Sequence, residues 1–169
     1  MNLYIGTSGY SYKEWKGSFY PDDLPDKQML RYYGERFRTV EINNTFYRMK
    51  KDAARLGEFL KRLPEDRQAA FEFRHQSWFD DEIFGLLRDH RAVLCIAEAE
   101  NDLEIPFIST ADWGYLRLRR PDYGDPELKV WGQRVREQEW RDAFVFFKDE
   151  DEGMGPKMAR RFLELAASS

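Results

Sequence analysis

Ala69-Ala-Phe-Glu-Phe-Arg74 sets ring and charge at alternate positions: Phe71 and Phe73 point one way, Glu72 and Arg74 the other, in any extended conformation. The pattern recurs twice. In Thr39-Val-Glu-Ile-Asn43, Val40 and Ile42 alternate with Glu41 and Asn43, and near Gly114 the pair Leu116 and Leu118 alternates with Arg117 and Arg119. A parallel strand covered by helices on both faces is apolar throughout. Strands with one charged side need a second face where charges can meet, and a barrel lumen supplies it.

Outward from these segments, short apolar runs alternate with helical patterns. Strands are expected at Leu3–Thr7, Thr39–Asn43, Ala69–Phe73, Ala92–Ala97, Gly114–Leu118 and Ala143–Lys148. Helices are expected from about Asp26 to Phe37 and Lys50 to Leu63, from a cap at Asp80 or Asp81 to about His90, and from openings at Asp125-Pro126 and Gly155-Pro156. Alternating β and α elements predict a parallel sheet with helices packed on it. The expected fold is one α/β domain spanning residues 1–169, a compact, truncated TIM-like β/α barrel. It has six clear strands and five helices, or eight strands if Thr45–Met49 and Ile105–Ser109 add short ones. Closure through a partner chain is a third solution, so the chain is expected as a monomer or a homodimer.

Composition narrows the function classes. The 169 residues are 42% hydrophobic and 34% charged, which describes a globular chain. The formal net charge of −4 provides no bulk positive field for nucleic acid. Cys95 is the single cysteine, so an internal disulfide framework and a multi-Cys zinc site are both excluded. No apolar run reaches the roughly 18–20 residues that span a bilayer, and no leader pattern precedes the first strand. A cytoplasmic location is the resulting expectation, without membrane association. No glycine-rich dinucleotide fingerprint is present, and Gly6-Thr-Ser-Gly9 lacks the lysine spacing of a phosphate loop, so no cofactor is expected.

Ile5-Gly-Thr-Ser-Gly-Tyr10, Glu41-Ile-Asn-Asn-Thr-Phe-Tyr-Arg48 and Glu72-Phe-Arg-His-Gln-Ser-Trp78 follow one another in an order that resembles the YecE-like barrels, domain-of-unknown-function family 72. Ala111–Arg120, Phe144–Lys148 and Gly155-Pro156 extend the resemblance over most of the chain. It implies a β/α barrel and no established activity. Against that family the chain is short: Met49 leads almost directly into Lys50-Lys51-Asp52, as if about two βα units of roughly 30 residues were missing. The helix from Lys50 to Leu63 would then correspond to the family's fourth. Glu98 stands where the family has Asp, and Asp149 where it has His.

In such barrels functional residues sit at the C-terminal strand ends. Here those ends hold Ser8 and Tyr10; Glu41, Asn43 and Asn44; Glu72, Arg74 and His75; Glu98; Arg117 and Arg119; Lys148 and Asp149. Glu41, Glu72 and His75 are the candidate catalytic groups. Asn43, Arg74, Arg117, Arg119 and Lys148 are the candidate ligand-binding groups, suited to a small anionic ligand because arginine forks match phosphate and carboxylate. The same charges would also serve as an ion network filling the lumen. With only His75 and His90, a multi-histidine metal centre is excluded, and no metal site is expected. The functional expectation is a compact barrel of unknown function without robust catalysis. The alternative is a hydrolase or isomerase acting on a phosphorylated or sugar-like substrate.

Overall fold

Leu3, Ile5, Val145, Leu116 and Ile96 recur at every second position of their segments, and each of these segments forms a strand. A computed structural model describes residues 1–37, 39–40, 50–61, 68–98, 103–120, 123–148 and 153–167. Its strands are β1 (Asn2–Thr7), β2 (Ala70–Phe71), β3 (Val93–Ala97), β4 (Trp113–Leu118) and β5 (Asp142–Phe147). They form one sheet in the order β1-β5-β4-β3-β2, with every pair parallel. The order is sequential except that the last strand pairs with the first. A doubly wound sheet reverses direction at an internal switch point, and this order contains none.

The helices are α1 (Met29–Gly34), α2 (Ala53–Leu60), α3 (Asp81–Asp89), α4 (Asp125–Arg136) and α5 (Met154–Ala167). Their N-termini follow local chemistry. Asp52 caps α2 by accepting from Arg55 N–H, and Asp80 caps α3 by accepting from Ile83 N–H at 3.0 Å. At α4, Pro126 occupies the first turn and the Glu127 carboxylate accepts from Gly124 N–H at 2.9 Å. The helix expected from Asp26 to Phe37 divides into a 3₁₀ turn, Asp26–Gln28, and the short α1.

All five helices lie against one face of the sheet. Ile5, Leu116, Leu118, Val145 and Phe147 bury their side chains against Tyr33 of α1, Leu128 and Val135 of α4, and Ala159 and Phe162 of α5. Further along the same face, Leu94 and Phe73 pack with Leu56 and Leu60 of α2 and Ile83, Phe84 and Leu87 of α3. Each such side chain removes about 1.5–3 kcal/mol of apolar surface energy from water.

Two expectations require correction. Five strands, not six, are present among the described residues. Thr39 and Val40 are not in a strand, and the rest of the segment expected at Thr39–Asn43 lies outside the described residues, as does Thr45–Met49. Ile105–Ser109 forms no strand either. Its side chains serve as a cover: Ile105 and Ile108 pack on the α2/α3 core, while Phe107 stacks on Trp140 at 5.9 Å. Pro106 moreover lacks the N–H that a ladder requires. No helix among the described residues is long and apolar enough to cross a membrane.

Candidate functional site

Strand register determines which side chains share the uncovered face. Gly6, Phe146, Arg117 and Ala97 lie in one row across β1, β5, β4 and β3. Ala70 is paired with Val93, so continuing the alternation puts Glu72 and Arg74 on that same face. Below the charged row lies an aromatic floor. Tyr4 stacks on Phe144 at 4.8 Å, Trp113 meets Phe144 edge-on at 5.8 Å, and Tyr115 packs on Phe146 at 5.0 Å.

Above this floor Glu72 is the hub. Its Oε2 accepts from Arg117, and its Oε1 accepts from both Arg119 and, at 3.0 Å, Arg74 Nε. Arg117 is 2% exposed and its other terminal nitrogen donates to Ser8 Oγ at 2.8 Å. The Arg119 and Glu72 side chains are 12% and 15% exposed, while Arg74 forms the rim at 36%. Burial works to raise the Glu72 carboxyl, but Arg117 and Arg119 outweigh it and hold the group below its ordinary range. Three guanidiniums thus converge on one carboxylate. Arg119 Nε is buried with no hydrogen-bond partner among those residues.

The other expected site residues lie elsewhere. His75 closes a 3₁₀ turn, Gln76–Trp78, where its Nδ1 accepts from Ser77 N–H at 3.1 Å. Glu98 follows β3 with the parity of Ile96, so it faces the helices and not Glu72. Burial, with the nearby Glu127 charge, pushes its carboxyl up, and Arg120 offsets this only in part. Tyr10 is turned toward α1, its ring 6.4 Å from that of Tyr33. Lys148 is the exception: it extends β5 with the parity of Phe146, on the same face as Arg117 and Arg119, its backbone N–H donating to Leu118 O at 2.9 Å. Glu41, Asn43, Asn44 and Asp149 lie outside the described residues. No cluster of three or more His, Cys, Asp or Glu residues able to hold a metal ion occurs among the described residues. The sequence reading overlooked the aromatic floor, although Tyr4, Phe144 and Tyr115 share the parity of Gly6, Phe146 and Arg117.

The model of the family described as "Protein of unknown function DUF72" matches residues 4–54 and 49–169. A DUF72 family protein from Thermotoga maritima is similar in structure, with a TM-score of 0.74 at 21% identity, covering 99% of this chain and 100% of that one. A second, from Enterococcus faecalis, gives a TM-score of 0.58 at 16% identity and covers 90% of this chain and 69% of that one. These likenesses concern the fold. No curated protein matches the chain.

Proposed function

We propose a binding role for this chain, which belongs to the DUF72 family of proteins of unknown function: it holds a small oxyanion, a phosphate or carboxylate group, on Arg74 and Arg119 above Glu72. The single observation behind this reading is the geometry of Arg74 and Arg119, which share one oxygen of Glu72 and keep further N–H donors beyond it. A planar fork offers five N–H donors. Glu72 engages only Nε of Arg74 and one terminal nitrogen of Arg119, so donors remain at the rim for a ligand.

The sheet supports a YecE-like, TIM-like barrel as the setting. Strand order β1-β5-β4-β3-β2 follows chain order as around a ring, and among the described residues the helices pack on one face of the sheet, as in a barrel. The family match divides at residues 49–54, where the sequence departs from a full-length barrel, which favours a shortened member. Robust acid/base catalysis fits the site poorly. A carboxylate held ionised by guanidiniums is a weak base near neutral pH, and His75 is engaged in its own turn.

The test is thermal unfolding with added inorganic phosphate at constant ionic strength. Binding to the native state raises the midpoint by mass action, and Arg74→Ala removes that rise. A rise that survives Arg74→Ala, or that chloride reproduces, overturns the anion site. Hydrolysis of a generic phosphodiester by pure protein, lost in Glu72→Gln, would instead establish the hydrolase reading.

A further inference from the structure

A cavity lies on the opposite face of the sheet, beside the described residues 103–112. Between β3 and β4 the described residues 103–112 contain no helix. The cavity, of about 370 Å³, stands against α4, bounded by Glu98, Leu103, Ile105, Phe107, Trp131 and Arg134. That volume is at the lower end of the range for small-molecule sites, about 300–1,000 Å³. It suits a ligand of amino-acid size and is too small for a dinucleotide.

The polar groups stand apart by charge. The Glu98 carboxyl lies near Trp131 and the backbone of Arg119, and its Oε2 is buried with no hydrogen-bond partner among the described residues. A buried carboxylate oxygen without a donor is costly, and a ligand N–H removes that cost. Arg134 is exposed on α4 and forms no ion pair among the described residues. Its guanidinium lies over the rings of Phe107 and Trp131, at 5.7 and 5.2 Å from their centroids. Between these two groups the side chains at the cavity include Ile96, Leu103, Ile105 and Phe107.

We propose that this cavity binds a small zwitterion with an apolar body, such as a free α-amino acid: its ammonium donates to Glu98, its carboxylate meets Arg134, and its side chain rests against Phe107 and Ile105. The site is separate from the arginine cluster and stands or falls independently of it. Three probes of matched shape separate the contributions: L-phenylalanine, 2-phenylethylamine and 3-phenylpropanoate, each titrated calorimetrically into the intact chain.

L-Phenylalanine is expected to bind about tenfold or more tightly than either mono-charged probe, the factor that one charge-assisted contact supplies. Glu98→Gln should weaken L-phenylalanine and phenylethylamine and spare phenylpropanoate; Arg134→Met should weaken L-phenylalanine and phenylpropanoate and spare the amine. Absence of saturable heat with all three, or affinities that neither substitution changes, overturns the proposal. Should Glu98→Gln fail to fold by circular dichroism, Arg134→Met on the exposed side of α4 decides alone, and unchanged L-phenylalanine binding then overturns it.

Discussion

The Arg117 guanidinium donates to Ser8 Oγ at 2.8 Å, joining the end of β4 to the end of β1 across the intervening β5. With Arg117 also held by Glu72, a buried charge is bound to three strands at once. Ser8→Ala removes one donor–acceptor pair from that charge and should cost about 1–3 kcal/mol in urea unfolding. Ser11→Ala removes a hydroxyl from an exposed residue and serves as the control. Equal losses would mean that the Ser8 contact contributes nothing specific.

Glu72→Ala should be the most damaging single truncation of the cluster, at about 3–5 kcal/mol, because it leaves Arg117 and Arg119 facing each other without their carboxylate. Glu58→Ala breaks an exposed pair with Lys61 and should cost well under about 1 kcal/mol. Chemical denaturation of the two variants side by side makes the comparison.

Acid should act on the fold in opposite directions through Glu72 and Glu98. Glu72 has a lowered folded-state pKa, so its stabilisation is present above the ordinary value of 4.5 and is lost as pH falls through the lowered one. Glu98 is raised, so the folded state retains a proton that the unfolded chain releases. Stability therefore declines as pH rises from 4.5 through the raised value. Unfolding midpoints followed from acid to neutral pH should show Glu98→Gln abolishing the neutral-side decline and Glu72→Gln abolishing the acid-side loss.

Gly114→Ala is expected to destabilise despite the conservative size of the change. A β-carbon there would overlap the ring of Trp140, which is held by its indole donating to Ser109 Oγ at 2.7 Å and by stacking on Phe107. Overpacking of this kind costs about 1–3 kcal/mol. Trp140→Leu in the same background should recover part of the loss, and the double-mutant cycle measures how much.

Residue parity explains how far the sequence could be read. Phe71/Glu72 and Leu116/Arg117 alternate because one face of their strands packs on helices and the other meets charge, so both the α/β class and the placing of Glu72, Arg74, Arg117 and Arg119 on one face followed from period-two reading. Glu98 could be misplaced because Val93–Ala97 is buried on both faces and gives no alternation to extend past Ala97. Ile105–Ser109 has strand-like composition for a different reason: its side chains are divided between two cores, which composition cannot distinguish from a ladder. His75 read as a base because residue type alone is silent on whether its ring nitrogen is already engaged by a turn.

Pairing of the first strand with the last has a consequence for how the chain is made. Asn2 aligns with Asp142, 140 positions later, and β1 touches no other strand among the described residues. At about 5–20 residues per second, a ribosome that has released β1 needs roughly 7–28 s more to deliver its neighbour. During that interval β1 has no strand partner among the described residues, while β2, β3 and β4 can associate in the order they emerge. Closing so long a loop is also the late, slow event in refolding from denaturant. Among the described strands β1 is thus the one most exposed to wrong pairing, and the strand that ends that exposure lies 140 positions further on.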